Sequence, residues 1–213
     1  AVQTYVENAP GLPVDSAASV TDSDSADFSG GSVIVDIVSQ PQAEDRLGVN
    51  HTGNGASQIG VNGATVSFGG VAIGTISGGD TGSSPLVIAL SGAAATPQAV
   101  QALLRNIVYW DVSENPIVLP RTLRVVVSDG DGGVSAPATR DVVVGAVNDV
   151  PLVSLPSAPL TYTENNPPMV IDAAGVIQDV DSANFELGHL KVTLTQNGTA
   201  DDRLVIQQGG QIT

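Results

Sequence analysis

Hydrophobic and polar residues alternate with a period of two along much of the chain, which is the spacing of a half-buried β-strand. Residues 32–38 show it well, because Val33, Val35 and Ile37 fall on one face. Other segments alternate in the same way or form short apolar runs. One opens with Leu47 and Val49, and the rest span 64–68, 71–76, 86–90, 123–128, 140–144 and 190–195. Glycines separate many of these runs, so the pattern predicts strands joined by glycine turns.

A single segment has helical spacing instead. Thr96 is a good N-cap, and Pro97 suits the first helical position. Beyond them, Val100, Leu103, Leu104 and Ile107 share one face at intervals of three and four. Many strands and one short helix predict an all-β fold, an antiparallel immunoglobulin- or cadherin-like β-sandwich.

The chain also repeats itself after 157 residues. Residues 1–56 and 158–213 align without a gap and share 20 identities in 56 pairs. The matches include Tyr5 with Tyr162 and Asp45-Arg46-Leu47 with Asp202-Arg203-Leu204. Pro151 cannot donate to a central ladder and predicts that the last strand of the first copy ends before it. We therefore expect one complete repeat over 1–149 and the N-terminal part of a second over 150–213, in tandem.

The net charge of the chain indicates which classes of binding partner to expect. The net charge is −15, and Lys191 is the sole lysine, so the chain is expected to bind neither nucleic acid nor an anionic membrane. No apolar stretch is long enough to cross a bilayer, which predicts no direct membrane insertion. Cysteine is absent, so thiolate metal sites and disulfides are excluded. Abundant Gly, Ala, Val, Ser, Thr and Asp with few aromatics fits an exported β-rich repeat, expected outside the cell or on its surface.

Acidic side chains gather where the strands end, and oxygen ligands of this kind suit Ca²⁺, which takes six to eight of them. Without a cation, two carboxylates about 4 Å apart repel one another by roughly 1–4 kcal/mol. The alternative is that Asp and Asn are simply good turn formers. For Asp22 and Asp24, which recur as Asp179 and Asp181, calcium is the favoured interpretation. The full set of candidate metal ligands is Glu7, Asp22, Asp24, Asp129, Asp131, Asn148, Asp149, Asp179 and Asp181.

The order of these motifs resembles cadherin repeats: Glu-Asn-x-Pro from Glu7, Asp-x-Asp-Ser from Asp22, Asp-Gly-Asp-Gly-Gly from Asp129 and Asn-Asp-x-Pro from Asn148. More closely, the repeat is similar to the cadherin-like tandem repeats of very large bacterial surface and exported proteins. The stretch 96–109 is similar both to those modules and to chondroitin-sulfate-proteoglycan repeats. The boundary lacks the first Asp and the second Asn of the cadherin linker, and Leu47 stands where a cadherin has the Glu of Asp-Arg-Glu.

The resemblance implies calcium ions between consecutive repeats. Glu7, Asn148 and Asp149 would then face Asp179 and Asp181 of the next repeat. At the other end, Asp22, Asp24 and Asp129 would face a preceding repeat. The implied function is a calcium-stiffened stalk of a large bacterial cell-surface or secreted adhesin. Its partners would be adjacent repeats of the same chain and a surface glycan or protein receptor.

Catalytic motifs are missing from the sequence. His51 and His189 do not correspond across the repeat, and no Gly-x-Ser-x-Gly elbow is present. We therefore expect a protein that is not an enzyme. The alternative function is a carbohydrate-binding or accessory module of an exported polysaccharide-active enzyme. That function would need an exposed aromatic pair, for which Tyr109 and Trp110 are the candidates; following an apolar helix, they are predicted to be core residues.

Overall fold

The computed structural model describes residues 2–207. The chain divides into two compact units, residues 1–147 and residues 148–213. Strands dominate, with a single helix among the described residues, so the expected all-β class is confirmed. The two units are called unit 1 and unit 2 below.

Unit 1 consists of eleven strands and one helix in the part of the chain that the structure describes. The strands are β1 Gln3–Val6, β2 Leu12–Pro13, β3 Ser32–Ser39, β4 Asp45–Val49, β5 Ile59–Asn62, β6 Thr65–Phe68, β7 Val71–Ser77, β8 Leu86–Leu90, β9 Ile107–Asp111, β10 Arg121–Ser128 and β11 Ala138–Gly145, and the helix is α1 Pro97–Arg105. The runs read from the sequence at 32–38, 71–76, 86–90, 123–128 and 140–144 fall in these strands, and so does the run 64–68 except for Ala64, which precedes β6.

Two sheets build unit 1. One has eight strands in the order β1-β11-β10-β3-β8-β7-β6-β5, and the other has three in the order β2-β9-β4. Alternate residues of both sheets and one face of α1 contribute to a single hydrophobic core. In β3, for example, Val33, Val35 and Ile37 are buried as the alternation predicts. The core thus follows from the period of two in the sequence.

Helix α1 begins where its sequence predicts. Thr96 has an extended backbone, and its hydroxyl accepts a hydrogen bond from Ala99 N at 3.3 Å. Pro97 occupies the first turn, and Val100, Leu103 and Leu104 are buried. Ile107, which the spacing assigned to the same face, instead opens β9, because the helix ends at Arg105 and the Asn106 N–H bonds back to the carbonyls of the last turn.

One pairing departs from the expected antiparallel arrangement. Strand β1 pairs with β11 in parallel, with Gln3 opposite Val142 and Val6 opposite Gly145. Parallel neighbours need a long crossover connection, and here the whole of unit 1 lies between the two strands. The remaining pairs in both sheets of unit 1 are antiparallel.

Unit 2 has less regular structure over its described residues. Strands β12, Leu152–Ser154, and β13, Val176–Gln178, form an antiparallel pair. The strand expected at residues 190–195 is not formed, although its pattern alternates cleanly, and Leu190, Val192 and Leu194 are exposed. The aligned strand β3 lies between β8 and β10. An alternating segment becomes a strand only where neighbours accept and donate along its ladder.

Several hydrogen bonds occur once in each unit, at positions that are 157 residues apart in the sequence. Tyr5 Oη donates to Ala9 O at 2.9 Å, and Tyr162 Oη donates to Asn166 O at 2.6 Å. In the same way, the carboxylate of Asp45 caps the N–H of Gln42, and that of Asp202 caps the N–H of Thr199. The identities counted in the sequence therefore include residues that make the same local contacts in both units.

Candidate functional site

Glu7 is one of the buried acidic residues of unit 1. It directly follows β1, and its N–H donates to Gly145 O at 3.0 Å, which extends the parallel pairing by one residue. Its side chain is only 5% exposed. Oε2 accepts the Val147 N–H at 2.7 Å, whereas Oε1 is buried and accepts no hydrogen bond. A buried carboxylate oxygen without a donor carries a large desolvation cost, and a bound cation would remove it.

A second carboxylate lies beside Glu7. Glu114, in the connection between β9 and β10, brings a carboxylate oxygen within 4.8 Å of an oxygen of Glu7. Its Oε2 also accepts the Asn8 Nδ2 hydrogen at 3.1 Å. Asn8 has a left-handed backbone with φ of 61°, a conformation that Asn tolerates well. Together these residues present oxygens of the kind that Ca²⁺ prefers.

Glu114 was not among the residues predicted from the sequence. The signal that could have found it is the run Glu114-Asn115-Pro116, which resembles the Glu-Asn-x-Pro that starts at Glu7. Glu114 lies 107 residues from Glu7, and their proximity depends on the connection after β9 passing the end of β1. Sequence spacing alone does not show that contact.

At the other end of β10, a surface pocket of about 430 Å³ is lined by the predicted residues Asp22, Asp24, Asp129 and Asp131. Asp129 directly follows β10, and its Oδ1 accepts the N–H groups of Asp131 and Gly133 at 2.8 and 2.9 Å. Asp22 Oδ1 accepts the N–H groups of Asp24 and Ser25 at 3.1 and 2.9 Å. The four residues are therefore brought to one pocket, and two of them also form turns, as the turn-former alternative expected.

The electrostatics of this pocket are those of crowded carboxylates. The N–H groups of Ser25 and Asp24 lower the pKa of Asp22. The pKa of Asp24 is raised by its hydrogen bond to the Asp22 side chain and by the charge of Asp22, with a smaller contribution from Asp129. One carboxyl of the pair thus resists ionisation while the other is ionised. A divalent cation at this pocket would offset that repulsion.

Within unit 2, three of the predicted ligands are grouped. Asp149 N donates to Asp181 Oδ2 at 3.1 Å, and Asp179 Oδ1 accepts the Ser182 N–H at 2.8 Å. Burial raises the pKa of Asp179, but the hydrogen bonds from Ser182 and from the Asp181 side chain outweigh it and leave the pKa lowered. Asp181 Oδ1 is shielded from solvent and accepts no hydrogen bond.

Asn148 precedes this group, and its Nδ2 donates to Asp149 O. Its amide is therefore held against the backbone of the next residue. The expectation that Glu7 faces Asp179 and Asp181 stays a prediction.

A buried charged network was also missed by the sequence analysis. Arg121 in β10 is fully buried; its Nε donates to Asp45 Oδ1 at 3.1 Å and its Nη2 to Asp111 Oδ2 at 3.4 Å. Tyr109 Oη donates to the same Asp45 oxygen at 2.5 Å. Burial raises the pKa values of Asp111 and Tyr109. Because Asp45 and Asp111 belong to the three-stranded sheet and Arg121 to the eight-stranded sheet, the network joins the two sheets.

The remaining candidates are two aromatic residues, Tyr109 and Trp110, and the two histidines. Tyr109 is fully buried, and Trp110 is partly buried against the core. This confirms the prediction that Tyr109 is a core residue, with its ring meeting that of Tyr5 edge to face at 5.7 Å. His51 accepts the Val61 N–H through Nδ1 at 2.9 Å, and His189 is exposed.

Comparison with protein-family models, curated proteins and solved structures found no match. None of the helices in the described part of the chain has the length and apolar character needed to cross a membrane.

Proposed function

We propose that the chain is a calcium-binding structural repeat of a large bacterial cell-surface or secreted adhesin, an antiparallel sandwich of immunoglobulin or cadherin-like type set in a tandem array. Its task is to form a stiff spacer that holds a distal binding domain away from the cell. Adjacent repeats of the same chain are its main partners. A surface glycan or protein receptor is the target of the whole adhesin.

The observation that carries this proposal is the Glu7 side chain. Native proteins pair nearly all of their buried polar atoms, yet Glu7 Oε1 is buried without a donor, and the Glu114 carboxylate lies beside it. Two ionised carboxylates at this separation repel each other. Calcium accepts both as ligands and replaces repulsion by coordination.

A second observation supports the same function at the Asp129 end of β10. Asp22, Asp24, Asp129 and Asp131 line one pocket there. The aligned residues Asp179 and Asp181 lie beside Asp149 in unit 2. Oxygen-rich groups at both ends of unit 1 are what a tandem array needs if each end is to share ions with a neighbour.

Calcium would therefore stiffen the joint between consecutive repeats. Without the ion, carboxylates at the end of a repeat repel one another and favour a mobile joint. With the ion, the same groups are held in one coordination sphere. This is a mechanical function, and it requires no catalytic residue.

The test is thermal unfolding of the full chain in calcium and in EDTA, with isothermal titration of calcium. A ligand at 100 times its Kd stabilises the folded state by about 2.7 kcal/mol, so the midpoint is expected to rise. The variant Glu7→Gln should lose most of this rise. Its matched control is Glu44→Gln, which removes an exposed carboxylate of unit 1. Equal midpoints with and without calcium, and no heat of binding, would refute the proposal.

The carbohydrate-binding alternative is the less favoured function, because one of its two candidate aromatic residues is buried. A sugar platform needs exposed aromatic rings, and the Tyr109 ring is fully buried while its hydroxyl is bonded to Asp45. Of the two candidates, Trp110 remains partly accessible. A glycan that binds the chain and is lost on Trp110→Ala, with the fold intact, would favour the alternative.

A further inference from the structure

The hydrophobic residues that build the core of unit 1 recur in unit 2, where they are exposed. Among the described residues of 1–56, seven hydrophobic side chains are buried, each with at most 6% of its surface exposed. The residues 157 positions later are also hydrophobic, yet each is between 44% and 72% exposed. The seven pairs are Tyr5 and Tyr162, Val14 and Ile171, Phe28 and Phe185, Val33 and Leu190, Val35 and Val192, Ile37 and Leu194, and Leu47 and Leu204.

Some of these exposed residues share one surface. Ile171, Leu190 and Val192 line a groove of about 900 Å³ in unit 2, together with Val153 and Met169. Contiguous apolar surface of this size marks a site of interaction with another polypeptide or ligand. The chemistry of the occupant can be read from unit 1, where the corresponding residues are covered.

In unit 1, the cover is provided by residues 57–147. Strand β3 lies between β8 and β10, and Val33 is opposite Ile88 on one side and Val127 on the other. In the second sheet, Leu47 is opposite Tyr109 of β9. Each of these partners belongs to the second half of the repeat.

Backbone hydrogen bonds follow the same division. Phe28 N donates to Ala95 O, and Val14 N donates to Ile107 O, both at 2.9 Å. In unit 2 the segment 190–195, which aligns within β3, lies outside any strand. A polypeptide that supplied counterparts of β8 and β10 would give this segment ladder partners on both sides.

One acidic residue adds a charge requirement to the occupant. In unit 1, Asp45 Oδ1 accepts Arg121 Nε at 3.1 Å and Tyr109 Oη at 2.5 Å. Asp202 aligns with Asp45 and makes the same local cap, but it is exposed. The occupant is therefore expected to bring an arginine and a tyrosine to Asp202, in addition to its apolar strands.

We propose that this face of unit 2 is a docking surface for the second half of a repeat, a polypeptide segment with the strand pattern of residues 57–147. The segment supplies counterparts of β8 and β10 beside 190–195 and of β9 beside Leu204, with an arginine directed at Asp202. The proposal rests on the tandem-repeat part of the proposed function and not on calcium. Its measurements are made in EDTA, so failure to dock and failure to bind calcium are separate results.

The test attaches a copy of residues 57–147 after position 213, which aligns with position 56, so that the repeat continues in register. Hydrogen exchange detected by mass spectrometry then compares the natural and the extended chain. The amides of 190–194 should exchange at least about a hundredfold more slowly in the extended chain, because core strands open far less often than exposed segments. The amides of 33–37 in unit 1 are the internal control and should not change.

Three variants of the extended chain locate the contact. Val192→Asp places a charge on the docking surface and should abolish the added protection. Thr193→Asp is the matched control and should leave it in place, because the aligned residue of β3 is Asp36. Arg121→Met in the appended copy alone should lower the added protection at least about tenfold, because Asp202 is then buried without its partner.

Fast exchange of 190–194 in the extended chain would overturn the proposal, as would equal protection in the Val192→Asp and Thr193→Asp variants. Protection of 190–194 in a natural chain that sediments as a dimer would also overturn it, because the occupant would then be a second copy.

Discussion

The Nε atom of Arg121 lies 3.1 Å from Oδ1 of Asp45, and neither side chain is reached by solvent. The pair joins β10 of one sheet to β4 of the other. In a chain without cysteine, this ion pair links the two sheets where no disulfide can do so. Arg121 is also bonded to the carbonyl oxygens of Ile117 and Leu119, which anchors the connection that carries Glu114.

Replacing Arg121 by Met should strongly destabilise unit 1. Removing one partner of a buried ion pair leaves an uncompensated charge and costs about 3–5 kcal/mol. Urea unfolding measures the loss. The control is Arg124→Met, since the pair of Arg124 with Asp36 is exposed and its loss should cost about 1 kcal/mol or less. Equal losses for the two variants would contradict the structural role given to Arg121.

Two tyrosines should resist ionisation until the protein unfolds. Burial raises the pKa values of both Tyr5 and Tyr109, and the Asp45 carboxylate raises that of Tyr109 further. For a group whose pKa is higher in the folded state, the stability is present below the unfolded pKa of about 10 and is lost as the pH rises above it. Absorbance at 295 nm should therefore show a cooperative alkaline step that coincides with loss of the circular dichroism signal.

The variants Tyr5→Phe and Tyr109→Phe should each reduce the amplitude of that cooperative step. Tyr162→Phe is the matched control, because the Tyr162 side chain in unit 2 is 59% exposed. Its substitution should leave the step unchanged. Ionisation of Tyr109 well before unfolding would show that its ring is accessible to solvent.

The cap of α1 should contribute measurably to stability. Thr96→Ala removes the hydroxyl that accepts the Ala99 N–H, and losing such a cap costs about 1 kcal/mol. Thr96→Ser keeps the acceptor and should cost much less. Chemical denaturation of both variants makes the comparison, and a Ser variant as unstable as the Ala variant would assign the loss to the missing methyl group.

If calcium binds as proposed, Glu114 should contribute as much to the calcium affinity as Glu7 does. Glu114→Gln should weaken calcium binding on the order of tenfold, because affinity depends on the number of charged ligands. Titration calorimetry measures the change, with Glu44→Gln as the control. Unchanged affinity in Glu114→Gln, together with loss in Glu7→Gln, would place the ion on the other side of Glu7.

How far the sequence predicts the structure depends on whether the signal is local. The helix that begins at Pro97 and the strand that begins at Ser32 depend on caps and alternation within the segment, and both starts were predicted, although the helix ends before Ile107. The strand expected at 190–195 depends on neighbouring strands, and alternation says nothing about whether they are present. Strand β1 was missed for a related reason, because its ladder partner β11 lies 139 residues away.

The residues of the candidate site were likewise predictable only where their signal is local in the sequence. Asp22 and Asp24 were found because they recur in the second copy, and Asp129 and Asp131 because they form an Asp-Gly-Asp turn. Glu114 has no counterpart among the aligned residues and reaches Glu7 only through the fold. Asp45 was noticed as a repeated residue, but its partners Arg121 and Asp111 come from other strands, so its burial and role were not predictable.

The parallel pairing of β1 with β11 has a mechanical consequence. The strand that enters unit 1 and the strand that leaves it lie side by side and run in the same direction. Tension that pulls on the two ends of the unit therefore slides these strands past each other, and the hydrogen bonds between them share the load together instead of opening one after another. If such units form a stalk, the hydrogen bonds between β1 and β11 would be the first to bear a stretching force.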